Sequence, residues 1–234
     1  MKYSSPLISG TFIKRYKRFF ADIQLESGEI VTAHCANSGR MTSCIHEGWP
    51  VLISYDPNPK RKLSYNLELI HNGSCWICVH THRANKIVAE ALENKQISSL
   101  EPSIEIRPEV RVGDSRLDFQ VTQADGSLCF VEVKSVTFLS EEACYRFPDA
   151  VSTRAQKHLE SLMKLVDEGY RAVIFFLIQR SDGEILAPAD HVDPKYGSLL
   201  RQAVQHGVEV LAYETNIDES SIELGREVSI CLDL

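Results

Sequence analysis

A chain of 234 residues is long for one compact domain and suits one large or two modest domains, since single cores rarely grow past ~250 residues. Hydrophobic residues at 44% and charged residues at 24% exclude disordered, collagen-like and low-complexity chains. The formal charge of −7 argues against a polyanionic partner only until it is placed along the chain: residues 1–82 hold nine Lys/Arg against six Asp/Glu, a net +3, and residues 83–234 hold sixteen against twenty-six, a net −10.

Short alternating runs fill the first eighty positions: residues 8–16, 19–25, 30–34, 51–55, 63–70 and 74–79, several separated by turn signals such as Ser27-Gly28 and Asn72-Gly73. They predict a small barrel over 1–82, compatible with an OB-like fold that binds oligonucleotides on one sheet face. Its positive charge is clustered at Lys14, Arg15, Lys17 and Arg18, and at Lys60, Arg61 and Lys62, with Arg40 between them. Phe12, Tyr16, Phe19 and Phe20 are interleaved with the first cluster. Cations that neutralise phosphates beside rings that stack on bases suit a sequence-tolerant nucleic-acid surface. The plainer alternative is a solvated strand edge over core rings.

Seven cysteines in an odd, scattered set fit free thiols in a reducing compartment. Cys75 and Cys78, followed by His80 and His82, are the one zinc-like cluster, but no second pair answers them and strand alternation separates their sulfurs. No zinc is expected. No apolar run reaches the ~18 residues a membrane helix needs, and polar residues follow Met1 at once. A cytoplasmic protein without membrane segments is expected.

From residue 83 the pattern changes. Ala84, Ile87, Val88, Ala91 and Leu92 have helical spacing, so a boundary is predicted near residue 82 and a second domain over 83–234. Strands follow at about 106–112, 117–121 and 128–136, then a helix over 153–168, a strand over 172–178, a helix near 196–205, a strand over 208–213 and a further edge at 228–232. This order predicts a mixed α/β sheet with helices on both faces.

The run Leu128–Val136 is apolar except for Glu132 and Lys134, which lie two apart and so share a face. Charges in a strand covered on both sides are costly unless paired or bound to a metal. With a three-residue loop Ala124-Asp125-Gly126, Asp118 of the preceding strand stands opposite Glu132; with a two-residue turn it faces Val133 instead. The first register is favoured, because two acids beside a lysine suit a hard cation, Mg²⁺ or Mn²⁺, with Asp118 and Glu132 as its ligands. Lys134 would then steady a water or a phosphate. The alternative is a structural Glu132–Lys134 ion pair. Strand, turn, strand and a helix with polar first turns resembles PD-(D/E)XK nucleases, and Glu90 on the preceding helix matches the outer acid of those folds. Pro148-Asp149 falls after these residues and is not the first half of that motif, and His158 is read as a satisfied polar residue more readily than a base.

Over nearly its full length the chain resembles the bacterial sugar fermentation stimulation protein A family. The resemblance is carried by HCANSGRM at 34–41, NPKRKLSYNLELI at 58–70, ANKIVAEAL at 84–92, RLDF at 116–119, FVEVKSVT at 130–137, FPDAVSTRAQKHLESL at 147–162, FFLIQR at 175–180 and VDPKYGSLLRQAVQHGVEVLAY at 192–213. It implies an N-terminal OB-like β-barrel followed by a PD-(D/E)XK nuclease-like mixed α/β domain, DNA binding with little sequence preference, and a regulatory role in sugar, notably maltose, metabolism. A Mg²⁺-dependent nuclease acting on DNA or RNA phosphodiesters is the second expectation.

Overall fold

A computed structural model describes residues 1–233. The first part is a barrel built from β1 (Ile8–Tyr16), β2 (Phe20–Leu25), β3 (Ile30–His34), β4 (Pro50–Tyr55) and β5 (Tyr65–His71). Antiparallel pairs run β3-β2-β1-β4-β5, and a parallel contact of Ala33 with Tyr65 and His34 with Asn66 closes the ring. Closure removes the open strand edges of a flat sheet. Alternation puts Phe12, Ala21, Ile23, Val31, Ala33, Ile53 and Leu67 in its core. β6 (Trp76–Cys78) extends it along β5. The β1–β2 turn is made by Lys17 and Arg18 at φ 48° and 63°. Left-handed backbone is disfavoured for such side chains, and in this three-residue loop, completed by Phe19 before Tyr16 pairs with Phe20, Asn or Gly would ordinarily stand there. Arg15 supports the turn, its Nε donating to the Arg18 carbonyl at 2.7 Å.

The second part contains α1 (Arg83–Glu93), β7 (Ser103–Val112), β8 (Ser115–Gln123), β9 (Leu128–Val136), β10 (Phe138–Leu139), β11 (Cys144–Phe147), α2 (Thr153–Asp167), β12 (Arg171–Ile178), β13 (Ile185–Pro188), α3 (Pro194–His206), β14 (Glu209–Ile217), β15 (Ile222–Glu227) and β16 (Ser229–Ile230). A six-stranded sheet runs β15-β14-β12-β9-β8-β7, parallel at its centre and antiparallel at both sides. β12 shows why it is mixed and buried: Val173, Phe175 and Leu177 enter the core under α1, while Ala172, Ile174, Phe176 and Ile178 enter the core under α2 and α3. Ser152 caps α2 by accepting from the Ala155 N–H at 3.2 Å. Asp193 caps α3, which Gly207 ends at φ 105°. The coarse fold class expected is therefore found: a closed OB-type barrel, then a mixed α/β domain.

A second sheet, β10-β11-β13-β16, was not expected. Its strands have two to four residues, too short for periodicity to register. The edge expected at 228–232 belongs to it, and β15 forms that side of the main sheet instead.

The two parts share packing. Leu52, Leu69 and Cys78 of the barrel lie in the same apolar cluster as Ala84, Ile87 and Val88 of α1. Arg180, 2% exposed, donates to the carbonyls of Ser43 at 3.1 Å and Thr137 at 2.9 Å and pairs with Asp182 at 2.6 Å. Asp182 also accepts from Asn72 of the barrel at 2.7 Å. Among the described residues, no helix is long and apolar enough to cross a membrane.

Candidate functional site

The β8–β9 connection fixes where the acids stand. Gln123 N–H donates to the Ser127 carbonyl at 2.9 Å, Gly126 N–H donates to the Gln123 carbonyl at 3.0 Å, and Gly126 has φ 84°. This is the three-residue loop. The ladder then pairs Thr122 with Leu128 and continues to Phe119 with Val131, so Asp118 and Glu132 occupy the next rung. There the strands part. Asp118 Oδ2 accepts from the Val133 N–H at 2.8 Å, where a backbone carbonyl of β8 would continue the ladder. β8 changes face at this point, since Phe119 packs under α1 and Leu117 under α2. The facing residue of β7, Glu109, has φ 57° and is skipped in the β7–β8 pairing. Asp118 Oδ1 accepts from Asn85 Nδ2 of α1 at 2.6 Å.

Glu132, 3% exposed, reaches toward α2. Its Oε1 accepts from Lys134 Nζ at 2.6 Å and is hydrogen-bonded to His158 Nδ1. Lys134 Nζ lies 3.2 Å from His158 Nδ1, and Arg154 Nε lies 3.5 Å from His158 Nε2. Burial pushes the Glu132 carboxyl up, but the His158 bond and the Lys134 charge outweigh it and hold the group below the usual glutamate range. For Asp118, burial and the neighbouring Glu132 charge outweigh its hydrogen bonds, so its carboxyl is raised. The Tyr196 hydroxyl is also buried without a partner, and burial followed by the Glu132 charge drives it well upward.

The donor chemistry fits a hard divalent cation. Glu132 Oε2 is buried with no hydrogen-bond partner, although Oε1 of the same group has two. Such an atom loses its hydration without return. Asp118 carries a charge raised in energy by the adjacent acid. A cation reaching both would relieve them, and it would have to draw Asp118 from Asn85 of α1 and Glu132 from His158 of α2, helices on opposite faces of the sheet. Among the described residues, no group of three or more His, Cys, Asp or Glu is arranged around a metal position, so water would complete the shell, as Mg²⁺ favours. The Glu132–Lys134 ion pair weighed as the alternative is present too, and it satisfies only half of the carboxylate.

β9 leads from this cluster to a cleft of about 790 Å³ between the two domains. Ser135 of β9 and Thr137 just beyond its end line it, opposite Arg15, Arg18 and Arg40 of the barrel. A smaller cleft of about 370 Å³ opens on the other side of the α2 start and is lined by His158, Arg154 and Lys157. Arg15 holds the loop, donating through Nη1 and Nη2 to the Gly39 carbonyl at 3.0 Å and through Nη2 to that of Asn37 at 2.7 Å. Asp149, set aside as a motif acid, accepts from the Met41 N–H at 3.3 Å and closes the loop from the α/β side.

The remaining expected cations lie elsewhere. Lys14 is 65% exposed, 3.7 Å from Asp22 and over the Tyr16 ring. Lys17 is at the turn tip. Lys60 and Lys62 are exposed, and Arg61 pairs with Asp56 at 2.6 Å in a separate cavity. Of the interleaved rings, Phe12 is core, whereas Tyr16 and Phe19 are 36% and 42% exposed.

Glu90 is not brought to the acids. It pairs with the Met1 amine at 2.9 Å and is 45% exposed. Five residues along a helix is ~140° of rotation, so α1 presents Asn85 to Asp118 and Glu90 elsewhere. Asn85 and Tyr196 carry no sequence signal, and His158 was undervalued because its partners come from a strand two dozen residues away. Arg146, which also lines the cleft, stands in a strand too short to be expected.

The family model described as "SfsA N-terminal OB domain" matches residues 13–79, and that described as "Sugar fermentation stimulation protein RE domain" matches residues 82–221. The sugar fermentation stimulation protein homolog of Geotalea uraniireducens is 50% identical over 231 residues, covering 98% of this chain and 99% of that protein. That of Syntrophotalea carbinolica is 47% identical over 233 residues, with both chains fully covered. The solved structure of Pyrococcus furiosus SfsA in complex with Ca²⁺ superposes with a TM-score of 0.89 at 28% identity, covering 99% of this chain and 98% of that one. The chain belongs to the sugar fermentation stimulation protein family.

Proposed function

We propose that the chain binds DNA with little sequence preference in the cleft between a barrel over 1–82 and an α/β domain over 83–234, and that Asp118 and Glu132 hold a divalent cation, Mg²⁺ or Mn²⁺, behind that cleft. The carrying observation is the juxtaposition of Arg15, Arg18 and Arg40 with the end of the strand that bears Glu132 and Lys134. Arginines on a cleft wall recognise phosphates without reading bases. Tyr16 and Phe19 add exposed ring faces near the basic turn. A Ca²⁺ complex of a relative, at 28% identity over the whole chain, supports the cation. Regulation of sugar metabolism, maltose included, is the outcome expected of DNA occupancy.

Nuclease activity is the second reading, favoured by the unpartnered Glu132 Oε2. A bound divalent cation would polarise a phosphoryl oxygen and acidify a water. The chain's own part is to hold the acids: Asn85 and the Val133 N–H orient Asp118, and Lys134 and His158 orient Glu132. Lys134 supplies an ammonium beside the reacting phosphate, and Arg18 and Arg40 retain the strand.

Fluorescence anisotropy with single- and double-stranded DNA across a salt series, for wild type and Arg18→Gln/Arg40→Gln, tests the binding. The expected result is weaker binding with a shallower salt slope; unchanged binding at low salt overturns it. Incubation with Mg²⁺ or Mn²⁺, compared with Glu132→Gln, tests cleavage: loss in the variant supports a nuclease, and no cleavage by wild type with any DNA or RNA substrate rejects that reading.

A further inference from the structure

A second cavity, of about 630 Å³, lies on the other side of the interdomain junction. Its separation from the first cleft is the segment in which Thr81 Oγ1 donates to the Ala36 carbonyl at 2.8 Å. Lys2, Arg61, Arg83 and Lys86 line it together with His34, His80 and His82. Asp56 is its one lining acid, and Arg61 occupies it at 2.6 Å. Beneath the floor, Glu68 is fully buried and accepts from Arg83 Nε at 2.9 Å and Nη2 at 2.5 Å. Lys2 and Lys86 have no acidic partner among the described residues.

α1 begins in this cavity, and its start is built the wrong way round for a helix left alone. The positive end of a helix is stabilised by acids and by capping oxygens. Here the first turn has no acid, the His82 N-cap makes no side-chain bond, and Arg83 and Lys86 add positive charge to the positive end. Two of the lining residues, His80 and Tyr3, each hold a polar atom, Nδ1 and Oη, that is buried without a partner. At the mouth Tyr55 is 54% exposed, its ring 5.2 Å from that of Tyr65.

We propose that this cavity binds the phosphate group of a nucleotide, either free or at the end of a nucleic-acid chain. The phosphate oxygens accept from Lys86 and the histidines, and their charge compensates the positive end of α1 in place of the acid it lacks; the Arg83 and Ala84 N–H groups themselves donate to the His80 and Thr81 carbonyls at 3.0 and 3.2 Å. The base lies against the exposed Tyr55 ring. Burial together with neighbouring cations depresses the imidazolium forms of His80 and His34, as expected of a positive pocket without its anion. The chain-end form rests on the nucleic-acid reading above; the free-nucleotide form does not.

Calorimetric titration of the full chain at constant ionic strength, with inorganic phosphate, a nucleoside 5′-monophosphate and the parent nucleoside, tests the proposal. Phosphate and the monophosphate are expected to bind one to one, the monophosphate more tightly, and the nucleoside not at all. His82 and Lys86 are exposed, so His82→Gln and Lys86→Gln keep the fold; each should weaken phosphate binding about tenfold, the loss of one charge-assisted hydrogen bond. Tyr55→Ala should weaken the monophosphate alone. Arg18→Gln, in the other cleft, should change none of these values, so a failure of the DNA reading is distinguishable from a failure here. No phosphate or monophosphate binding below about 10 mM, or affinities unmoved by His82→Gln and Lys86→Gln, would overturn the proposal. Oligonucleotides with a 5′-phosphate binding more tightly than their 5′-hydroxyl forms, an advantage lost in Lys86→Gln, identify the chain-end source; equal binding identifies the free nucleotide.

Discussion

The barrel displays its charge and the α/β domain buries its own. Lys14, Lys17, Arg18, Arg40, Lys60 and Lys62 are exposed on the first, whereas Glu132, Lys134 and His158 are among the most enclosed residues of the second. An exposed cation keeps its hydration and can be placed by loops, so such a surface is tolerant in position and suits a tolerant task such as the proposed tracking of phosphates. A charge inside a sheet is retained only if its partners are placed to within a few tenths of an ångström. On the proposed function, the contrast separates binding, which the barrel would carry with several replaceable groups, from metal chemistry, which the sheet would carry with few.

The sharpest way to break this contrast is at Glu132. Glu132→Ala removes the acceptor of a buried ammonium and is expected to cost about 3–5 kcal/mol in urea unfolding, the range for orphaning one partner of a buried pair. Glu132→Gln should recover part of that loss without recovering divalent-ion binding by calorimetry. If both variants unfold like wild type, Lys134 has another partner and the buried network is misassigned.

The next effect is a pH dependence. Burial, against the opposing Glu68 charge, lowers the His80 pKa from 6.5 to about 4. The unfolded chain therefore takes up the proton first as pH falls, so stability is full above pH 6.5 and declines between there and about 4. The loss is about 3 kcal/mol by linkage. Urea midpoints in phosphate-free buffer should show it, and His80→Gln should flatten that part of the curve.

Gly39 tests how the two regions are held together. A Cβ at this position would stand 2.0 Å from Asp149 Oδ2, the atom that accepts from the Met41 N–H. Gly39→Ala must displace that carboxylate and should lower stability by about 1–2 kcal/mol while weakening DNA binding through a widened cleft. Unchanged thermal unfolding would show that the loop moves without cost. The smallest effects belong to single surface cations: Arg18→Gln or Arg40→Gln alone should reduce the salt slope by about one and leave stability within about 0.5 kcal/mol.

Legibility in the sequence follows the same division. The barrel strands, α1, α2, α3, β9 and β12 were readable because each presents an apolar period of two, of 3.6, or an unbroken run. Glu132 and Lys134 stood out as charges in such a run; the Asp125-Gly126 signal left two loop lengths open, and the chemistry of two acids beside a lysine favoured the register that puts Asp118 on the rung of Glu132. The short strands β10, β11, β13 and β16 have no room for a period. Glu90 misled because its helix was readable but its rotation was not: an apolar stripe fixes which face is buried, and Glu90 and Asn85 both lie beside that stripe, on different sides. His158, Tyr196 and Arg146 reach the site through tertiary packing, which no local pattern encodes. The barrel's cations were readable as clusters, yet their division between two cavities depends on loops 37–41 and 56–62 and emerges only with the fold.

The central claim is that Asp118 and Glu132 together hold a divalent cation beside the basic cleft. Anomalous diffraction from crystals soaked in Mn²⁺ tests it most directly. The account predicts one ion within about 2.5 Å of an oxygen from each carboxylate, lost in Glu132→Gln crystals. A fully loaded soak with no ion there, or with the Glu132–Lys134–His158 cluster unchanged and the ion bound elsewhere, would contradict it.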